Sequence, residues 1–142
     1  NTAPSTHGMF GDLLATSLLQ RGVRGLVIDA GVRDTADLRD MGFPVWTQHV
    51  SCQGTVKNTP GSVNVPIRLG EQMVNPGDVV CADDDGVVIV ARSEAAWALD
   101  QSNARLVKES ETRARLEAGE LGLDFYGLRE KLAAMGVEWV ES

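Results

Sequence analysis

The chain has 142 residues, 43% hydrophobic, 23% charged and 5% aromatic, the balance of one ordinary soluble domain with room for a core. Its 20 Asp+Glu against 13 Lys+Arg leave a net charge of −7, which offers no basic stripe for nucleic-acid phosphates and only local sites for a small anion. Cys52 and Cys81 lie far apart without CxxC spacing, which argues against a disulfide framework or zinc knuckle and for reduced thiols in the cytoplasm. No apolar run approaches the roughly 18 residues of a membrane span, and nothing reads as a signal peptide. The first residue is Asn1, and NTAPSTHG opens like the middle of a loop, so a processed or truncated product is expected, with some N-terminal structure missing.

The elements follow in chain order. GDLLATSLLQRG (11–22) spaces Leu13, Leu14, Leu18 and Leu19 as a helix, with Asp12 placed to cap and Gly22 to terminate. GLVIDA (25–30) is a short apolar strand, TADLRDMG (35–42) a short helix and FPVWTQHV (43–50) a second strand, together a β-α-β unit. The stretch 51–70 is turn-rich before VNVPIRL alternates like a strand. VNPGDVVCADDDGVVIVA (74–91) is two Val-rich runs about an Asp-Asp-Gly turn, introduced by Pro-Gly-Asp. Residues 93–119 turn helical, with Trp97, Leu99, Leu106, Val107 and Leu116 as the expected buried stripe. LDFYGLREKLAAMG (123–136) is a further helix stopped by Gly136. The whole reads as a single mixed α/β domain over 1–142.

Three constellations could carry chemistry. HGMFGDLL (7–14) runs a glycine-bearing loop into a helix start, whose unpaired N–H groups suit a carboxylate or phosphate; the alternative is a plain helix cap. Arg33-Asp34 follows an apolar strand, where α/β sheets collect ligand groups. An arginine fork can grip a carboxylate, and a lone aspartate with waters suits Mg²⁺ or Mn²⁺. The alternative is that Asp34 caps a helix and Arg33 pairs with some acidic neighbour. ADDDG (82–86) lacks the ligand alternation of a calcium loop and reads as a hairpin turn. His7 and His49 lack HExxH-type spacing, and none of the three lysines, Lys57, Lys108 and Lys131, sits in an apolar strand. A Schiff-base mechanism, which wants a desolvated lysine, is therefore disfavoured, and carbonyl chemistry would fall to a metal.

Asp12, twenty intervening residues and Arg33-Asp34 spell D-x20-R-D behind the glycine segment. With NPGDVVCADDDGVVIV and the tail KESETRARLEAGELGLDFYGLREKL, the chain resembles the metal-dependent class II pyruvate aldolases. These cleave 4-hydroxy-4-methyl-2-oxoglutarate and 4-carboxy-4-hydroxy-2-oxoadipate, in the superfamily of the regulator of ribonuclease E activity A. The resemblance implies an α/β/β sandwich of the swivelling phosphohistidine-domain type, assembled as trimers or hexamers with sites between subunits. It implies that Asp34 binds Mg²⁺ or Mn²⁺ and that Arg33 holds the pyruvyl group. The amides of Leu13 and Leu14, beside Gly11, would receive its carboxylate, and Asp12 would position a water for proton transfer. Thr55 and Lys57 would line the distal part of the substrate, and Glu109 would reach metal-bound water from a neighbouring subunit. Pyruvate release in protocatechuate and gallate degradation follows, with oxaloacetate decarboxylation as a side activity, since both reactions pass through the same enolate. A non-catalytic regulator of ribonuclease E is the alternative function, and a phosphohistidine carrier using His7 a third.

Overall fold

Short apolar runs separated by turn residues assemble the first part of the chain into a three-stranded parallel sheet. The computed structural model describes residues 5–56, 58 and 60–138. Strands β1 (Gly8–Phe10), β2 (Leu26–Val32) and β3 (Val45–Val50) lie in the order β1-β2-β3. Helices α1 (Asp12–Leu19) and α2 (Thr35–Asp40) connect them, so two successive β-α-β crossovers build the layer. β2 pairs with β3 from Leu26↔Val45 to Val32↔Val50, with an irregularity between Ile28 and Gly31, and β1 joins through Gly8↔Gly31. The β-α-β unit expected over 25–50 is present, and a second one precedes it. Residues 8–10, expected as a loop, are strand β1. Three residues with a glycine among them are too short to show alternation, and only their pairing with β2 defines the strand.

The sheet closes against its own helices. Phe10, Ala15, Val32, Leu38 and Phe43 form the buried cluster, drawn from β1, α1, β2, α2 and the loop into β3. The rings of Phe10 and Phe43 stack with centroids 5.7 Å apart, adding aromatic contact to the burial. Because α1 and α2 each bury one side on this cluster, their helical spacing of apolar residues has a physical target.

Two antiparallel hairpins follow: β4 (Ile67–Leu69) with β5 (Gln72–Val74), and β6 (Val79–Ala82) with β7 (Val87–Val90). The strand expected over 63–69 shrinks to its last three residues, because Asn64 turns left-handed (φ 59°) and Pro66 has no N–H to donate. The ADDDG turn lies where the sequence puts it. Asp83 N–H donates to the Gly86 carbonyl (3.0 Å), and Asp83 Oδ1 accepts from the N–H groups of Asp85 (2.9 Å) and Gly86 (3.2 Å). The Asp83 carboxylate is thereby committed to the turn.

The described residues fall into two compact units, one ending at Ser93 and one beginning at Glu94. The second holds α3 (Ala95–Glu117), α4 (Gly122–Phe125) and α5 (Leu128–Ala134). The helix expected over 123–136 is two helices, since Gly127 between them is left-handed (φ 63°, ψ 29°) and interrupts the ladder. The stripe expected to be buried on α3 is exposed: Trp97 by 65%, Leu106 by 63% and Leu116 by 50%, with Leu99 and Val107 alike. Helical spacing shows that a face is apolar, but burial needs a partner. Helices of 4 and 7 residues within the unit are too short to cover one of 23.

Candidate functional site

Arg33 and Asp34 stand at the carboxyl end of β2, the end where parallel sheets gather ligand groups. Asp34 is left-handed (φ 57°, ψ 38°), a conformation that aspartate tolerates better than most residues. It occupies the N-cap position of α2 but makes no side-chain cap bond there. Its Oδ2 instead accepts from the backbone N–H of Asp12, the first residue of α1, at 3.3 Å. Arg33 Nε lies 3.3 Å from the same oxygen, with both side chains about 33% exposed. Arg33 Nη1 donates to the Gly8 carbonyl (2.8 Å), and its backbone N–H to that of Phe10 (2.8 Å).

The two structural alternatives for this pair therefore need correction. Asp34 caps α2 by position only, because the left-handed backbone aims its carboxylate across to α1. The acidic neighbour of Arg33 is Asp34 itself. The N-cap of α1 is Gly11, not Asp12, and no side chain caps that helix. A carboxylate at the positive end of α1 is electrostatically favourable. The N–H groups of Leu13 and Leu14, in the first turn, have no acceptor within the helix.

Gly11, Asp12, Arg33 and Asp34 thus meet, although Asp12 joins through its backbone rather than its carboxylate. Leu13 and Leu14 expose their side chains, by 78% and 52%, beside this cluster. Thr55 is half-buried in the irregular segment after β3, Lys57 lies outside the described residues, and Glu109 sits on α3, paired with Arg105 (2.7 Å). The residue that sequence reasoning missed is Gly8, whose carbonyl fixes Arg33. A backbone acceptor carries no side-chain signature, and only the glycine in HGMF hinted at close approach.

Among the described residues no group of three or more His, Cys, Asp or Glu converges on one point, so the site does not fit a chelated ion such as structural zinc. One partly exposed carboxylate fits Mg²⁺ or Mn²⁺, which hold most of their waters and need only one or two carboxylates. A cleft of about 470 Å³ between α2 and β3, mostly apolar through Val32, Leu38, Phe43 and Val50 but also lined by Arg39 and Thr47, borders this region without including Arg33 or Asp34. Elsewhere, the backbone N–H of Asn75 (2.8 Å), then that of Arg92 (3.0 Å), hold the Asp78 carboxyl below the ordinary carboxylate range. The Arg129 guanidinium does the same to Asp124, and Asp124 in turn raises Arg129.

Residues 1–89 match the RraA-like family, Aldolase/RraA, and the chain belongs to that family. A Shewanella oneidensis protein provisionally named 4-hydroxy-4-methyl-2-oxoglutarate aldolase is 36% identical over 89 residues, covering 63% of this chain and 54% of its own length. A solved structure of Streptomyces coelicolor RraAS2, described as an unusual member of the RNase ES inhibitor RraA protein family, is 32% identical. It covers 77% of this chain and 56% of that one with a TM-score of 0.71. A Pseudomonas syringae pv. tomato protein shares the fold at 24% identity, with a TM-score of 0.77 over 82% of this chain and 59% of its own. The chain spans about half the length of the curated relatives it matches.

Proposed function

We propose that this chain carries the active site of a divalent-metal-dependent pyruvate aldolase. The reaction would be retro-aldol cleavage of 4-hydroxy-4-methyl-2-oxoglutarate or 4-carboxy-4-hydroxy-2-oxoadipate to pyruvate plus pyruvate or oxaloacetate. One observation carries the reading: D-x20-R-D, scattered over 23 residues of sequence, closes into one cluster around Asp34 Oδ2. The Shewanella oneidensis relative provisionally named for this aldolase supports it.

Cleavage breaks the C3–C4 bond and leaves negative charge on the oxygen and C3 of the departing pyruvyl group. Catalysis requires fixed positive charge where that charge develops. Arg33, braced by the Gly8 carbonyl, presents such a cation, and its fork suits the adjoining carboxylate. The N–H groups of Leu13 and Leu14 at the start of α1 would bind the same carboxylate. Asp34 would hold Mg²⁺ or Mn²⁺, which when bound supplies Lewis acidity at the 2-oxo oxygen. A water held near the Asp12 carboxylate would take the C4 hydroxyl proton. Thr55 and Lys57 would meet the distal part of the substrate, and Glu109 of a neighbouring copy would steady the ion's waters. Oxaloacetate decarboxylation would use the same charge stabilisation.

We further propose that both units act as one domain of an α/β/β sandwich, working in the cytoplasm as a trimer or hexamer. The likeness to the Pseudomonas protein, which covers 82% of the chain, supports this reading, and a parallel sheet with α1 and α2 is compatible with its first layers. The test is a lactate-dehydrogenase-coupled assay with racemic 4-hydroxy-4-methyl-2-oxoglutarate, first with Mg²⁺ and then with EDTA. Pyruvate release that EDTA abolishes is expected; release undiminished by EDTA would sink the metal mechanism. A second reading, inhibition of an RNase E-type enzyme, draws on the likeness to RraAS2. It predicts slower RNA cleavage on addition of this chain, and unchanged cleavage would remove it.

A further inference from the structure

We infer that Gly11 is a positioning residue, whose missing side chain is the space in which the Asp34 carboxylate reaches the N-terminus of α1. The inference rests on Asp34 as the cation-binding group proposed above. A Cβ built on Gly11 would lie 2.2 Å from Asp34 Oδ2 and 3.1 Å from Arg33 Nε. Backbone geometry does not ask for glycine here: φ −156° and ψ −172° are extended values open to any residue. The demand is for space alone, and the atom that takes the space belongs to the site.

Neighbouring glycines show the contrast. A Cβ on Gly8 would meet the Ser51 carbonyl at 2.2 Å, and one on Gly31 the carbonyls of Thr6 and His7 at 2.6 Å. These are backbone atoms, so substitutions there would force the strands apart. At Gly11 the obstructed atom ends a side chain that can rotate. A methyl group would swing the Asp34 carboxylate off the Asp12 N–H and away from Arg33 Nε, leaving the sheet and α1 in place. Gly11 is thus the position where the site can be dislodged without dismantling the fold.

The experiment compares wild type, Gly11→Ala, Asp34→Ala and the double variant by Mn²⁺ titration followed by electron paramagnetic resonance, and by thermal unfolding. Gly11→Ala is expected to weaken Mn²⁺ binding about 10- to 100-fold, as loss of an orienting contact does, with an unchanged far-UV circular dichroism spectrum. The Tm losses of the two single variants are expected to be non-additive, because the second substitution finds the contact already gone. Wild-type Mn²⁺ affinity in Gly11→Ala, or fully additive Tm losses, would overturn the inference. If Gly11→Ala fails to fold alone yet folds in the Asp34→Ala background, the clash with Asp34 is upheld; failure in both backgrounds refutes it. A wild-type chain that binds no Mn²⁺ would instead remove the cation role of Asp34, while the Tm cycle would still decide whether the contact exists.

Discussion

The parallel sheet of the first unit and its two helices bury a core, whereas α3 of the second unit leaves its apolar stripe exposed. In the first, Ala15 of α1 and Leu38 of α2 are buried in the cluster, Leu18 and Leu19 pack against it, Phe10 and Phe43 stack, and Arg33 and Asp34 stand at one end of the sheet. In the second, α3 exposes Trp97, Leu106 and Leu116 and is held mainly by surface contacts. Arg105 pairs with Glu109, Arg115 pairs with Glu120 (2.7 Å), and Arg115 also lies 4.2 Å over the ring of Phe125. An amphipathic helix packed on a sheet becomes core, whereas an apolar stripe that its own unit does not cover stays exposed. Arg33 and Asp34 belong to the first kind of region. Glu109, which we propose reaches the site from a neighbouring copy, lies on the exposed helix α3.

The sharpest break of this comparison is chemical. Asp34→Ala and Arg33→Ala should each lower pyruvate release by about 10²- to 10³-fold, the cost of removing one preorganised electrostatic group. Wild-type turnover in Asp34→Ala would dismiss the site. On stability, Leu38→Ala should cost about 2–5 kcal/mol in urea unfolding, since Leu38 is 3% exposed within the core. Leu106→Ala should cost no more than about 0.5 kcal/mol. Equal losses would show that α3 has a covered face after all. Glu120→Ala should likewise cost little, roughly 0–1 kcal/mol, because the pair with Arg115 is about half exposed and screened.

Acid provides a last and mild test within the first unit. The folded state holds Asp78 below its ordinary value of 3.8, so the carboxylate's contribution is fully present above that value and disappears as pH falls through the folded pKa. The Tm gap between wild type and Asp78→Ala should therefore stay level from pH 7 to about 5 and narrow only in stronger acid. A gap that widens on acidification would contradict the assigned hydrogen bonds.

Much of the first unit was legible because its signals are local. The β-α-β unit at 25–50 follows from apolar runs and a short helical pattern, and the β6–β7 hairpin follows from Val-rich runs about Asp-Gly. The break at Gly127 was missed because a glycine inside a helical pattern is often tolerated. Only its left-handed backbone shows that the helix stops. Strand β1 was missed because a three-residue strand exists only through its neighbour.

By itself the sequence marked a strand end bearing opposite charges and a glycine segment running into a helix; only the family resemblance joined Asp12 to Arg33-Asp34 as D-x20-R-D. Residue type and short spacing suffice for such local marks, since helix and strand periods act over a few residues. Tertiary structure alone decided that Asp34 turns left-handed, passes over the end of α2 and places Oδ2 on the N–H of Asp12, 22 positions away. It also decided that Gly11 is needed for space rather than for conformation, and that the apolar stripe of α3 is exposed. Each of these depends on what another element brings alongside, and packing between distant segments leaves no periodic trace in the chain.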